Sequence, residues 1–151
     1  MHIAIAIYDD KAFDINVLGL FKTETESSEC LLKEAQDIAR AHNISEPQSF
    51  MDDGFDSLRD IGWRFFESVV EAKEAWLDAR EVYVVTSYAY EWADLNSVHV
   101  FQDMQGAQEF MEELVQSTLQ KHGINFSDSW KLDLSEIGFD VNISAIYFRR
   151  E

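Results

Sequence analysis

Two stretches of the chain, residues 2–44 and 82–124, follow the same pattern when one is shifted along the other by 80 positions. Eight of the 43 aligned pairs are identical, whereas average amino-acid usage gives roughly two or three by chance. The identical pairs are Tyr8/Tyr88, Asp14/Asp94, Asn16/Asn96, Phe21/Phe101, Glu29/Glu109, Gln36/Gln116, His42/His122 and Ile44/Ile124. This repeat constrains the fold more than any other feature, because two copies of one sequence form the same elements. We predict a duplicated unit; the alternative is two separate units of one type whose patterns merely align.

Each copy begins with two predicted strands. Isoleucines alternate with smaller residues over 3–7, which is the period of a strand, and a second apolar run follows a polar stretch and covers 15–21. The second copy has the same arrangement over 82–90 and 95–101. Both pairs of runs are typical of a hairpin with a longer loop.

A helix is predicted after each hairpin, with recognisable signals at both ends. Thr23 and Glu26 have the spacing of a capping box, and Asp103 is a favourable N-cap in the second copy. Asn43 and Gly123 follow the two helices at equivalent positions, and both tolerate the left-handed conformation with which helices commonly end.

The two copies diverge after these helices. Apolar residues at helical spacing predict a long helix from Phe55 to about residue 80, whereas alternation of Trp130, Leu132 and Leu134 and an apolar run over 141–148 predict a pair of strands. The expected fold is α+β, with an antiparallel sheet of about six strands packed by three helices. The chain is expected to form one compact domain over 1–151, with these segments: 1–44 and 81–124 as the two β-β-α units, 45–80 as the inserted helix and 125–151 as the strand pair.

The charge of the chain limits its partners. There are 29 acidic residues against 12 basic ones, a formal net charge of −17. Nucleic acids and anionic membranes attract Lys and Arg, so we expect neither as a direct partner, whereas a basic protein is electrostatically favoured. No secretory signal and no apolar run long enough to span a bilayer is present, so a cytoplasmic location is expected.

Catalytic and metal-binding motifs are absent from the sequence. The four histidines have no metal-ligand spacing, and the chain contains no P-loop, no dinucleotide fingerprint and no nucleophile elbow. His42 and His122 lie where a helix dipole favours a cation, and Cys30 aligns with Phe110, which indicates a buried apolar role. We therefore predict no enzymatic activity, no metal and no cofactor.

Acidic residues recur at helical spacing along the predicted long helix. Like charges four residues apart destabilise a helix slightly, so their concentration indicates either a solvated face or a surface for a basic partner. The predicted contact residues of this row are Asp60, Glu67, Glu71, Glu74 and Asp78. A second acidic group on the second copy's helix comprises Asp103, Glu109, Glu112 and Glu113.

Aromatic residues form a second candidate contact surface. Tyr88, Tyr90 and Trp92 lie two residues apart and so share one face of a predicted strand. They either pack inside the fold or bind a partner, since Tyr and Trp are enriched at interaction hot spots.

These observations support three hypotheses. The first is a small acidic inhibitor, of immunity or anti-defence type, that blocks a basic nucleic-acid-handling protein by presenting a phosphate-like surface. The second is a self-associating structural or regulatory domain, dimerising through Trp63, Phe66 and Val70. The third is a small-ligand binder or enzyme with a pocket between the repeats.

Overall fold

The computed structural model of the chain describes residues 1–8, 14–73, 76, 81–89 and 94–147. Within these residues it contains four helices and six strands, and the strands form two three-stranded antiparallel sheets. The chain divides into two compact units, Met1–Val70 (unit 1) and Glu71–Glu151 (unit 2). The α+β class is confirmed, but the prediction of a single six-stranded sheet with three helices is wrong.

Unit 1 has the element order β-β-α-α-β. Its elements are β1 (His2–Tyr8), β2 (Asp14–Phe21), α1 (Glu24–Ala41), α2 (Gly54–Asp60) and β3 (Trp63–Val69). The strand order in the sheet is β2-β1-β3, so the first strand is the central one.

Unit 2 has the same order of elements. Its elements are β4 (Glu81–Ala89), β5 (Asp94–Phe101), α3 (Met104–Lys121), α4 (Trp130–Glu136) and β6 (Phe139–Tyr147). The strand order is β5-β4-β6, again with the first strand in the centre. No helix of the described residues is long and apolar enough to cross a membrane.

The hydrogen-bond registers of the two sheets correspond at both ends of the paired strands. The residues that pair across each sheet where its central strand begins are His2, Phe21 and Val69 in unit 1, and Tyr83, Phe101 and Ala145 in unit 2. At these positions the numerical shift between the units is 81 in the central strand, 80 in the second strand and 76 in the last strand. The register irregularity between the first two strands lies between Ala4 and Ile5 in unit 1 and between Ser87 and Tyr88 in unit 2, so the second-strand shift is 81 between those two places. No single shift relates the units.

The ungapped alignment misplaces the central strands by one residue. The connection from β1 to β2 has one residue more than that from β4 to β5, and a shift of one residue moves every side chain to the opposite face of a strand. Tyr8 and Tyr88 are therefore not equivalent, although they align as an identical pair. Tyr8 lies opposite Trp63, and the corresponding position in unit 2 is Ala89, which lies opposite Phe139.

The alternation of isoleucine and alanine in β1 positions the first helix. Ala6 lies opposite Phe65, so both project from the face of the sheet on which α1 and α2 pack. Alanine side chains on that face allow the helix to approach closely, and the apolar contact is made by a cluster of Ala35, Ile38, Ala39 and Leu58. The corresponding cluster of unit 2 contains Val85, Ala107, Val115, Leu119, Leu134 and Val141.

The predicted long helix over 55–80 is wrong. Helix α2 ends at Asp60, and Gly62 then adopts a positive φ of 98° before strand β3 begins at Trp63. A positive φ is incompatible with continuing a right-handed helix and is easily adopted by glycine. The aromatic residues that follow pack well on a sheet, so the chain continues as a strand.

The predicted strand through Trp130, Leu132 and Leu134 is also wrong. These residues lie in helix α4, whose end resembles that of α2, because Gly138 has a φ of 86° immediately before β6. Leu134 is buried and Leu132 is exposed, which is the pattern of a helix rather than of one strand face.

The predicted capping residues of helices α1 and α3 are confirmed. Thr23 and Asp103 each accept a hydrogen bond from a backbone N–H three residues later, at 3.2 and 2.6 Å. Asn43 and Gly123 have positive φ angles of 56° and 71° after α1 and α3. These caps satisfy backbone groups that would otherwise lack partners at the helix ends.

Candidate partner-binding site

The predicted acidic row does not lie on one helix face. Asp60 is exposed at the end of α2, Glu67 lies in strand β3, and Glu71 is exposed beyond that strand. Glu74 and Asp78 lie outside the described residues. The row was inferred from helical spacing, and that spacing has no meaning where the chain is a strand.

Glu67 is bound within unit 1. Its Oε2 accepts a hydrogen bond of 2.8 Å from Oγ of Ser28 on α1, and its Oε1 lies 3.9 Å from Nδ1 of His2. The carboxylate therefore links the helix to the sheet, and it is half-buried. This interpretation replaces its predicted role as a free contact for a partner.

The aromatic contact surface is also corrected in part. Tyr88 is only 1% exposed, so its side chain does not lie on the surface of the chain. It projects from the face of β4 opposite to the one on which Val85 packs against α3. Tyr90 and Trp92 lie outside the described residues, so their contact role stays a prediction.

The apolar face suggested for a homodimer does not exist as one surface. Trp63 and Phe66 lie three positions apart in strand β3 and thus point to opposite faces. The Trp63 ring packs on Tyr8, with centroids 5.0 Å apart. Val70 is buried, and its N–H donates to the carbonyl of Met1 at 2.9 Å.

A groove beside the start of α1 is the first candidate contact site. This α1 groove has a volume of about 310 Å³ and is lined by Glu24, Thr25, Ser28, Glu29, Leu32 and Phe50. Phe50, at 48% exposed, is contributed by the loop between α1 and α2, and the adjacent Met51 is 92% exposed.

Asp52 holds the loop that carries Phe50. Its two carboxylate oxygens accept backbone hydrogen bonds from Gly54 at 2.9 Å and from Gln48 at 3.1 Å. These N–H donors stabilise the ionised form and lower the pKa of the Asp52 carboxyl below its usual value. The exposed ring of Phe50 thus lies in a loop that the hydrogen bonds to Asp52 stabilise.

The second candidate contact site is a groove beside α3 in unit 2. One part, about 350 Å³, is lined by Gln108, Met111, Glu112, Val115, Phe126 and Trp130. An adjoining part of about 240 Å³ shares Met111 and Trp130 and is completed by Lys131, Val141, Asn142 and Ile143. We call the surface lined by these two parts the α3 groove; its lining includes Phe126 of the loop between α3 and α4 and three residues of the edge strand β6.

The two grooves occupy corresponding places in their units. Phe50 and Phe126 both precede the short helix, and each is followed two residues later by an aspartate. The shift between them is 76, which is also the shift of the last strands. The Phe-x-Asp pattern also occurs at Phe101–Asp103, so only its recurrence at the shift of 76 marks these two loops in the sequence.

Negative charge is distributed evenly over the units. Residues 1–70 contain 14 acidic and 6 basic residues, and residues 71–151 contain 15 and 6. Glu109 and Glu112 on α3 accept hydrogen bonds from the neutral side chains of Gln105 and Gln116. Neither forms an ion pair with a residue that the structure describes, so their charges face solvent uncompensated.

The structure does not indicate a reactive role for Cys30 or His122. Burial raises the pKa of the Cys30 thiol, with a further contribution from Glu34, which disfavours the nucleophilic thiolate. His122 Nδ1 lies 3.0 Å from the carbonyl oxygen of Thr118 at the end of α3. In the described ranges, no group of His, Cys, Asp or Glu is arranged to hold a metal ion.

Comparison with known proteins finds no family model that matches the chain, no similar curated protein and no similar solved structure.

Proposed function

We propose that this chain is a small acidic binding protein that engages a positively charged surface of another protein. The observation that carries the proposal is the pairing of exposed phenylalanines with carboxylates at the two grooves. An aromatic side chain supplies contact energy by excluding water, and carboxylates steer a basic partner and suppress acidic ones.

The α1 groove illustrates this combination. Phe50 and Met51 expose apolar surface, and Glu24 and Glu29 border the groove without forming an ion pair to any residue in the described ranges. Exposed apolar side chains of this size beside a concave surface mark sites of interaction. The surrounding charge favours a partner rich in Lys and Arg.

Proteins that handle nucleic acid are one class of basic partner. The acidic surface of this chain would compete with nucleic-acid phosphates for their basic surface. We therefore propose that the chain is an inhibitor, which occupies the nucleic-acid-binding surface of its partner and blocks it. No catalytic step is part of the proposal.

The test is retention of proteins from an extract of the source cells on the immobilised chain at low salt. A matched column carries an unrelated folded protein of the same net charge. We expect a basic protein to bind only the first column and to be released by salt, since screening weakens exposed charge interactions. Displacement of that protein by double-stranded DNA would support the inhibitory role, and retention of the same set of proteins by both columns would refute specific binding.

We also propose that the two units arose by duplication. Support comes from the shared order of elements, the corresponding registers and matched residues at the shift of 76. These residues are Leu58/Leu134, Ile61/Ile137 and Gly62/Gly138. A sequence reconstructed for the ancestor of this chain should contain more identities between the units, and fewer identities would contradict the duplication.

A further inference from the structure

We infer that the α3 groove binds a cationic amphipathic helix of the partner protein. This inference rests on the proposed function, because it names the segment of the partner that enters unit 2 and the surface that receives it.

The lining of the α3 groove suits an apolar anchor. Met111 and Trp130 are shared by both of its parts, and Phe126 borders one end at 42% exposed. Methionine adapts its shape to a bound side chain, and tryptophan provides a large rigid contact area. Amphipathic helices bind such grooves through apolar residues at i, i+3, i+4 and i+7.

Unit 1 has no tryptophan at the position equivalent to Trp130. The position of Trp130 is taken by Gly54, where a Cβ atom would lie 3.1 Å from the buried Pro47. The space next to that position is thus filled by the chain itself. A tryptophan therefore lines the α3 groove but not the α1 groove, so the inferred occupant is assigned to the α3 groove alone.

Charge complementarity identifies the occupant as cationic. Glu112 lines the groove, and Glu109 and Glu113 are exposed on the same helix. The one basic side chain that lines the described groove, Lys131, lies with its Nζ 5.5 Å from the centroid of the Trp130 ring. A helix with lysine or arginine beside its apolar face would place those cations against the glutamates of α3.

The probe is a labelled helical peptide of about 18 residues, with leucines at the anchor spacing and lysines elsewhere. A scrambled peptide of identical composition removes the amphipathic face. Fluorescence anisotropy measures the affinity of each for the full chain at low and moderate salt. We expect the amphipathic peptide to bind more tightly than the scrambled one at both salt concentrations.

Variants locate the site. Phe126→Ala should weaken binding by about fivefold or more, the effect of removing a hot-spot aromatic, and Glu112→Gln should weaken it by about twofold at low salt. The matched controls Leu132→Ala and Glu136→Gln remove an exposed apolar side chain and an exposed charge from α4 outside both grooves, and they should leave the affinity unchanged. If Phe126→Ala unfolds the chain, Glu112→Gln, an exposed substitution, still carries the test.

The outcomes separate this inference from the proposed function. Equal binding of both peptides would overturn the groove inference, while salt-sensitive retention of a basic protein would leave the proposed function standing. Equal effects of Phe126→Ala and the control Leu132→Ala would also overturn the inference. A dimer in sedimentation that Phe126→Ala dissociates would assign the groove to a second copy of the chain and refute a cationic helix as its occupant.

Discussion

The contrast between Leu134 and Leu132 tests the structure of the segment that lines the α3 groove. Both residues lie in α4, but Leu134 is 1% exposed and Leu132 is 62% exposed. In a helix, residues two apart lie about 200° apart around the axis, whereas in a strand they share a face. Alanine substitutions therefore have different consequences in the two conformations.

The magnitude follows from burial. Replacing a fully buried leucine with alanine costs about 2–5 kcal/mol, because apolar contacts are lost and a cavity remains. Folded domains are stable by about 5–15 kcal/mol, so Leu134→Ala removes a large part of the free energy of unfolding. Leu132→Ala changes an exposed side chain and should alter stability by no more than about 0.5 kcal/mol.

Urea unfolding followed by circular dichroism measures both effects. With a slope of about 1–3 kcal/mol per molar urea, a loss of 3 kcal/mol lowers the midpoint by at least about 1 M. Leu58→Ala, at the corresponding position of α2, should behave like Leu134→Ala. Equal costs for Leu132→Ala and Leu134→Ala would refute the helix and restore the strand that the sequence pattern predicts.

Three further predictions concern caps and titrating groups. Asn43→Gly should raise stability by about 0.5 kcal/mol in thermal unfolding, because glycine adopts its positive φ without strain; a loss would contradict this. Burial raises the pKa of the Asp140 carboxyl, so wild-type stability should increase relative to Asp140→Asn as pH falls through that raised pKa towards 3.8. Urea midpoints at pH 7 should be higher for the variant, and a lower value would refute the argument. Cys30 should react with iodoacetamide more slowly than a small free thiol at pH 8, since burial raises its pKa; equal rates would contradict this.

The first half of each unit could be predicted because its signals are local. The isoleucine alternation of β1, the cap at Thr23 and the left-handed residue Asn43 each act within a few residues. These features determine the element directly, whatever lies elsewhere in the chain.

The second half of each unit could not be found by an ungapped comparison. Twelve residues connect α1 to α2, but only eight connect α3 to α4, which changes the shift from 80 to 76. The sequence match at the shift of 80 therefore ends at residue 44, although both units continue with a short helix and a strand. With that correspondence missing, the apolar residues of β3 fitted a helical period, and Leu132 and Leu134 fitted a strand period.

The candidate site was missed for a tertiary reason. Exposure of Phe50 and Phe126 depends on how the loops lie over α1 and α3, and a single phenylalanine in a sequence carries no sign of exposure. Tyr88 shows the converse, since its spacing from Tyr90 and Trp92 in the sequence carries no sign of burial, yet its side chain is only 1% exposed. The net charge predicted the kind of partner but not the surface.

The decisive measurement is the affinity of a recovered basic partner for the wild-type chain and for Phe126→Ala at two salt concentrations. We expect salt to weaken the binding of the partner to both the wild-type chain and Phe126→Ala, and we expect Phe126→Ala to bind more weakly than the wild type at either concentration. Binding that is insensitive to salt, or equally tight for an unrelated protein of the same net charge, would contradict it.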